Sequence, residues 1–186
     1  MKIDYNSPVI LTFTFIATTV LLLNRLTGDW LTANLFTVQG FASWENPMTY
    51  IRLFTHIAGH ANWLHLFGNF TLILLIGPLL EEKYGSRLML IMILTTALVT
   101  GLLNMALFDT GLMGASGVAF MLIILSSITR IKSGFIPLTF ILIVALFLGK
   151  EVFDAFEQDS ISQFAHIMGG ICGSVFGFMR QNNAAA

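Results

Sequence analysis

The chain has 186 residues, 56% of them hydrophobic and only 10% charged, far below the roughly 25% charge of soluble globular proteins. With a mean hydropathy of +0.83, it has the composition of a membrane protein. A net charge of -1, with nine Lys and Arg spread along the chain, excludes the basic face that a nucleic acid would need. The single cysteine, Cys172, excludes an internal disulfide and, inside an apolar run, reads as a packing residue.

A spanning helix needs about 20 mainly apolar residues. Uncharged windows of that kind run Tyr5–Asn24, Ala61–Leu80, Leu88–Phe108, Thr110–Thr129, Ser133–Gly149 and Ser160–Met179. They predict six spans. The first window is far from any small-residue cleavage site and reads as the first helix of a bundle rather than a leader. The fifth is the shortest and carries Pro137 near its start, where proline is tolerated.

Residues 25–60 form the one long non-spanning segment. Trp30, Leu31, Leu35, Phe36, Phe41 and Trp44 are too apolar for a solvated linker. They predict short helices lying in the membrane interface, with an ordinary packed loop as the alternative. No repeat or second domain is visible, and no soluble domain is expected ahead of the first span. Residues 1–183 read as one membrane domain, with Ala184, Ala185 and Ala186 set aside as an added tail.

With six spans, one side holds Lys2, Lys83, Arg87, Arg130, Lys132 and Arg180, and the other Arg25, Arg52 and Lys150. The positive-inside bias puts both termini in the cytoplasm. Trp30, Trp44 and Trp63 then all fall on the outer side, as an interfacial belt would place them.

Polar residues at membrane depth are functional candidates by default. His56, His60, His65 and His166, together with Ser116, all map to the outer ends of their spans or just before them. A serine hydroxyl needs a base, and histidine is the usual one; Ser116 and His166 are candidates for that pair. The sequence Gly114-Ala115-Ser116-Gly117 suits a turn into a helix N-terminus, where free N–H groups can serve an oxyanion. Packing of small residues is the competing reading. Gly169 and Gly173 make a G-x-x-x-G face on the helix of His166, which fits close helix approach. His65 and Asn69, four apart, share a helix face, and both can donate to an oxyanion. A metal site of His56, His60 and His65 competes with that reading, but no Asp, Glu or Cys at ligand spacing completes it.

The segment from His60 through His65 to Asn69, then Glu81 with Gly85, Gly114 to Gly117, and Ala165-His166 with Gly169 and Gly173 occur in this order and spacing. On them the chain resembles the rhomboid family of intramembrane serine proteases, in its minimal six-helix bacterial form, over roughly residues 50 to 178. Arg52 matches an arginine of the family's first-loop signature, where Ile51 replaces the usual aromatic. The resemblance implies an all-α bundle of six transmembrane helices with a long interfacial first loop, in the inner membrane, with its active site opening to the outer side. It implies Ser116 as nucleophile and His166 as general base and acid, a dyad without aspartate. His65, Asn69 and the Ser116 amide would form the oxyanion hole. Phe120 occupies the position from which many members stack a tyrosine on the histidine; its ring can stack, but it lacks the hydroxyl. Gly114, Gly117, Gly169 and Gly173 support the site, and Glu81 and Ser86 read as structural partners.

The implied reaction is hydrolysis of peptide bonds in or beside transmembrane segments of single-pass or multi-pass membrane proteins, through an acyl-enzyme. Small residues would be favoured before the scissile bond and helix-destabilising ones after it. The fifth span and Glu151–Ser162 would be gate and cap. The partners are such segments and the lipid bilayer, with no metal, organic cofactor or nucleic acid. Two other classes remain: a catalytically silent relative that binds membrane clients, against which both dyad residues argue, and a transporter, which should show paired carboxylates or an inverted repeat.

Hydrolysis also needs water. Thr96, Thr100 and Asn104, at spacing four, form a polar stripe rising toward the outer side. With His56 they are expected to hold water for the acyl-enzyme, while hydroxyls bonding their own helix are the alternative. Replacing Asn104 with Leu should slow turnover while leaving fluorophosphonate labelling of Ser116 largely intact. Equal loss of both would count against the stripe.

Overall fold

The computed structural model describes residues 4–128 and 160–184, with Leu138, Ile141, Leu142, Ala145 and Leu146 between them; side chains of the last helix are described for 164–179. Among the described residues the chain is helical. Its elements are α1 (Pro8–Leu26), α2 (Trp30–Leu35), α3 (Pro47–Thr55), a 3-10 turn (His56–Ala58), α4 (Trp63–Tyr84), α5 (Ser86–Leu107), α6 (Ser116–Ile128) and α7 (Ser160–Ala184). The extended structure described is one antiparallel bridge, Val38 with Leu112.

Among the described residues, α1, α4 and α5 are long and apolar enough to cross a membrane. Their outward faces expose Phe15, Leu22, Leu75, Leu79 and Ile91. In water that would be an untenable apolar surface; against lipid it costs nothing. The charge-free windows locate these three helices but cut their ends short. Arg25 belongs to the last turn of α1, and Glu81 to Tyr84 to that of α4. The predicted fifth span falls almost wholly outside the described residues, as do residues 151–159 of the expected cap.

Buried Glu81 explains why a carboxylate can end α4. Its two oxygens accept the N–H groups of Val9 and Ile10 at 2.9 and 3.0 Å. Pro8 opens that helix at a position where its missing N–H costs nothing. A charged acceptor on otherwise unpaired N–H groups, at the positive end of the helix dipole, contributes about 1.5–3 kcal/mol per bond. Glu81 thus has a structural part, but its partners are the backbone N–H groups that open α1, where the sequence sets it beside Ser86.

α6 is the central helix. Every residue from Gly117 to Leu125 is buried, so it is covered on all sides by protein rather than lipid. Its 13 residues span about 20 Å at 1.5 Å each. α7 lies parallel to it and very close. A Cβ on Gly169 would collide with the backbone carbonyl of Gly117, and one on Gly173 with that of Met121; one on Gly177 would meet the Ile128 side chain at 2.6 Å. Here the small-residue face does what such faces do in lipid, bringing backbones together.

The long first loop is built of α2, α3 and the 3-10 turn, as short helices were expected. Asn46 accepts from Met48 N–H at 3.0 Å to cap α3, and Asn62 accepts from His65 N–H at 2.9 Å to cap α4. Arg52 Nε donates to the Asn34 carbonyl at 2.7 Å, tying α3 to α2.

Candidate functional site

Ser116 is the first residue of α6. Gly114 makes the turn before it, at φ 121°, a backbone conformation that suits glycine. A Cβ at Gly114 would also stand 2.7 Å from His65 Nε2 and 3.8 Å from Asn69 Nδ2, so the turn lies directly against the start of α4. The first loop satisfies the polar backbone of this turn. Gly114 N–H donates to the His56 carbonyl at 2.9 Å, and Ala115 N–H to His60 Nε2 at 3.4 Å. Just before it, Leu112 and Val38 exchange hydrogen bonds of 2.8 and 3.0 Å. From Ser116 onward, the N–H groups of the first helical turn have no carbonyl within the helix, and the positive end of the dipole lies where Ser116 begins.

Ser116, His166, His65, Asn69 and Phe120 line one cleft of about 540 Å³, closed further by Leu64, Gly68, Leu72, Ile123 and Leu146. Ser116 is half-buried within it, and His166 is buried one turn before Gly169. The Phe120 ring stacks on His166 with centroids 3.9 Å apart and planes 6° apart, which fixes the plane of the imidazole without bonding its nitrogens. A hydroxyl at a helix N-terminus, a fixed imidazole, and an imidazole and carboxamide across the cleft are the groups that acyl transfer needs.

His56, Thr96, Thr100 and Asn104 form a second buried group. Neutral His56 has one ring proton. Its Nδ1 lies 3.1 Å from the Arg52 carbonyl and takes that proton, leaving Nε2 facing Thr100 Oγ1 at 3.4 Å. Thr96 donates to the Met92 carbonyl at 2.8 Å, and Thr100 lies 2.8 Å from the Thr96 carbonyl, so both hydroxyls reach their own helix. Asn104 differs. Its Nδ2 donates to the Thr110 carbonyl at 3.1 Å, but its buried Oδ1 has no hydrogen-bond partner among the described residues.

Among the described residues no group of three or more His, Cys, Asp or Glu is arranged to hold a metal ion. The ring nitrogens of His56 and His60 instead meet protein partners. Sequence reasoning took His60 as a polar residue at depth, as the start of the motif that runs to Asn69 and as a competing metal ligand, but gave it no role in the site and missed its place here. Its Nε2 meets both Asn69 and Ala115, and no spacing rule connects a loop residue to either.

A model of the rhomboid domain matches residues 47–183. Among curated proteins, the chain is similar to "Rhomboid-like protein 11, chloroplastic" of Arabidopsis thaliana, 24% identical in an alignment 167 residues long that covers 80% of this chain. The chain spans about 60% of the length of that relative.

His56 and His60 precede α4, and burial holds both imidazoles down at about 4; for His60 the neighbouring His65 adds to the effect. In the unfolded chain each titrates near 6.5. Between those values the unfolded state binds more protons, so their contribution to stability is complete above about pH 6.5 and is lost as pH falls toward 4, by up to about 1.4 kcal/mol per unit for each histidine. Thermal unfolding in detergent should therefore show the melting temperature falling from about pH 6.5 to about pH 5, above the main carboxylate range. The slope should be shallower in His60→Gln. A flat profile would contradict the burial of neutral imidazoles.

Proposed function

Because the chain belongs to the rhomboid family, we propose that it is an intramembrane serine protease cutting membrane-protein substrates in or beside their transmembrane segments. The observation that carries this reading is that Ser116, His166, His65 and Asn69 line one cleft. In the proposed reaction the Ser116 hydroxyl attacks a substrate carbonyl as His166 takes its proton. His65, Asn69 and the Ser116 amide hold the oxyanion. His166 then returns the proton to the leaving amine, and water, activated by the same imidazole, releases the acyl-enzyme.

Water for the last step comes, on this reading, through the group of His56, Thr96, Thr100 and Asn104. The orphaned Asn104 Oδ1 supports that role, since a buried acceptor costs about 1–3 kcal/mol unless something donates to it. The Phe120 stack supports His166 as a base of fixed orientation. We further place the domain at residues 1–183 with six spans, both termini in the cytoplasm and the cleft opening to the outer side of the cell membrane. The basic-residue bias supports that orientation.

In liposomes containing a single-pass substrate, the wild type should cut within or next to the membrane segment. Ser116→Ala and His166→Ala, folded by the criterion of an unchanged melting profile, should lose cleavage to background. If all three proteins behave alike, the dyad is vestigial and binding of membrane clients takes its place.

A further inference from the structure

His60 is fully buried in the loop ahead of α4, with the edge of His65 at 4.9 Å and of Phe70 at 5.6 Å between ring centroids. The Ala115 N–H points at its Nε2 from 3.4 Å. A backbone amide can only donate, so Nε2 carries a lone pair and the ring proton sits on Nδ1, 3.3 Å from the Ala58 carbonyl. The same lone pair faces the Asn69 side chain at 3.2 Å. Only the NH2 end of a carboxamide meets a lone pair favourably; its oxygen would be repelled. The orientation of Asn69 is therefore dictated from behind, and of the two protons on Nδ2 one is engaged by His60 while the other remains for the cleft that Asn69 lines.

We infer that His60 is a positioning residue of the reaction: one ring atom fixes the Asn69 carboxamide with its NH2 end forward and holds the turn that leads into Ser116. The inference rests on the reading of Asn69 as an oxyanion donor. It ties the donor on α4 and the start of α6 to a single acceptor, so their spacing does not depend on substrate. Burial keeps the ring neutral. A protonated ring would turn a donor toward two donors and release both.

The test is a double-mutant cycle on substrate cleavage in liposomes, with the wild type, His60→Leu, Asn69→Ala and the pair. Loss of an oxyanion donor costs about 10² to 10³ in kcat. His60→Leu should lose at least a large part of the rate that Asn69→Ala loses, in kcat rather than KM. The pair should lose far less than the product of the two single losses, since the part of the His60 effect that runs through Asn69 is already gone. His60→Gln, which returns an acceptor near the Nε2 position, should recover much of the rate. A merely structural role predicts independent losses that multiply in the pair, and that result would overturn the inference. Nitrogen NMR of the histidine rings decides the same point without activity, and does so even if His60→Leu fails to fold. A bare Nε2 and protonated Nδ1 at His60, persisting to about pH 5, is expected; a protonated Nε2 overturns it. A wild type that cuts nothing would sink the proteolytic reading instead, leaving the NMR result to decide whether His60 holds Asn69.

Discussion

The backbone contact between α6 and α7 is the constraint on which the rest of the structure depends. In a bilayer, apolar side chains gain little by leaving lipid for protein, so helices associate through close van der Waals packing. Gly169 against Gly117 and Gly173 against Met121 bring the two backbones nearer than any side chain would allow. Ser116 precedes the first of these contacts by one residue, and His166 precedes it by three. The glycines thus set the approach of the two helices at the level of the cleft, and the Phe120 ring, four residues into α6, stacks on the imidazole that the approach delivers.

A second constraint comes from backbone polarity. A turn buried at the top of a bundle has N–H groups that neither lipid nor helix can satisfy. The first loop supplies the partners, through the His56 carbonyl, the His60 ring and Val38, while Phe41 N–H donates to the Met105 carbonyl at 3.0 Å. The loop is a seat for the turn that presents Ser116: the His56 carbonyl and the His60 ring accept its N–H groups, while the His56 ring faces Thr100 and the His60 ring meets Asn69 of the cleft. Fold and site share the same hydrogen bonds, so the local acceptors that stabilise the fold also orient the site.

Much of this was legible from residue types and spacing. Charge-free windows found α1, α4 and α5, because lipid leaves no other solution for such runs. They missed the helix ends, because charge at an end is tolerated or useful: Glu81 sits inside α4 as the cap of α1. The fourth window began at Thr110, whereas α6 begins at Ser116, since hydropathy is blind to the positive φ of Gly114 and to the bridge between Val38 and Leu112. Gly169 and Gly173 announced a close contact, but nothing in their spacing named Gly117 and Met121 as its other side. His60 was the least legible. Its part follows from which atom of Asn69 and which amide face its lone pair, a fact of three dimensions and of tautomer.

The most direct measurement is covalent capture of the nucleophile. The protein in liposomes would be treated with a fluorophosphonate and the adduct mapped by mass spectrometry, in the wild type and in His166→Ala. The account predicts a single adduct on Ser116 that is lost, or slowed by orders of magnitude, without His166. An unlabelled wild type, an adduct on another residue, or labelling of Ser116 at the same rate without His166 would contradict the claim that this cleft holds an activated serine.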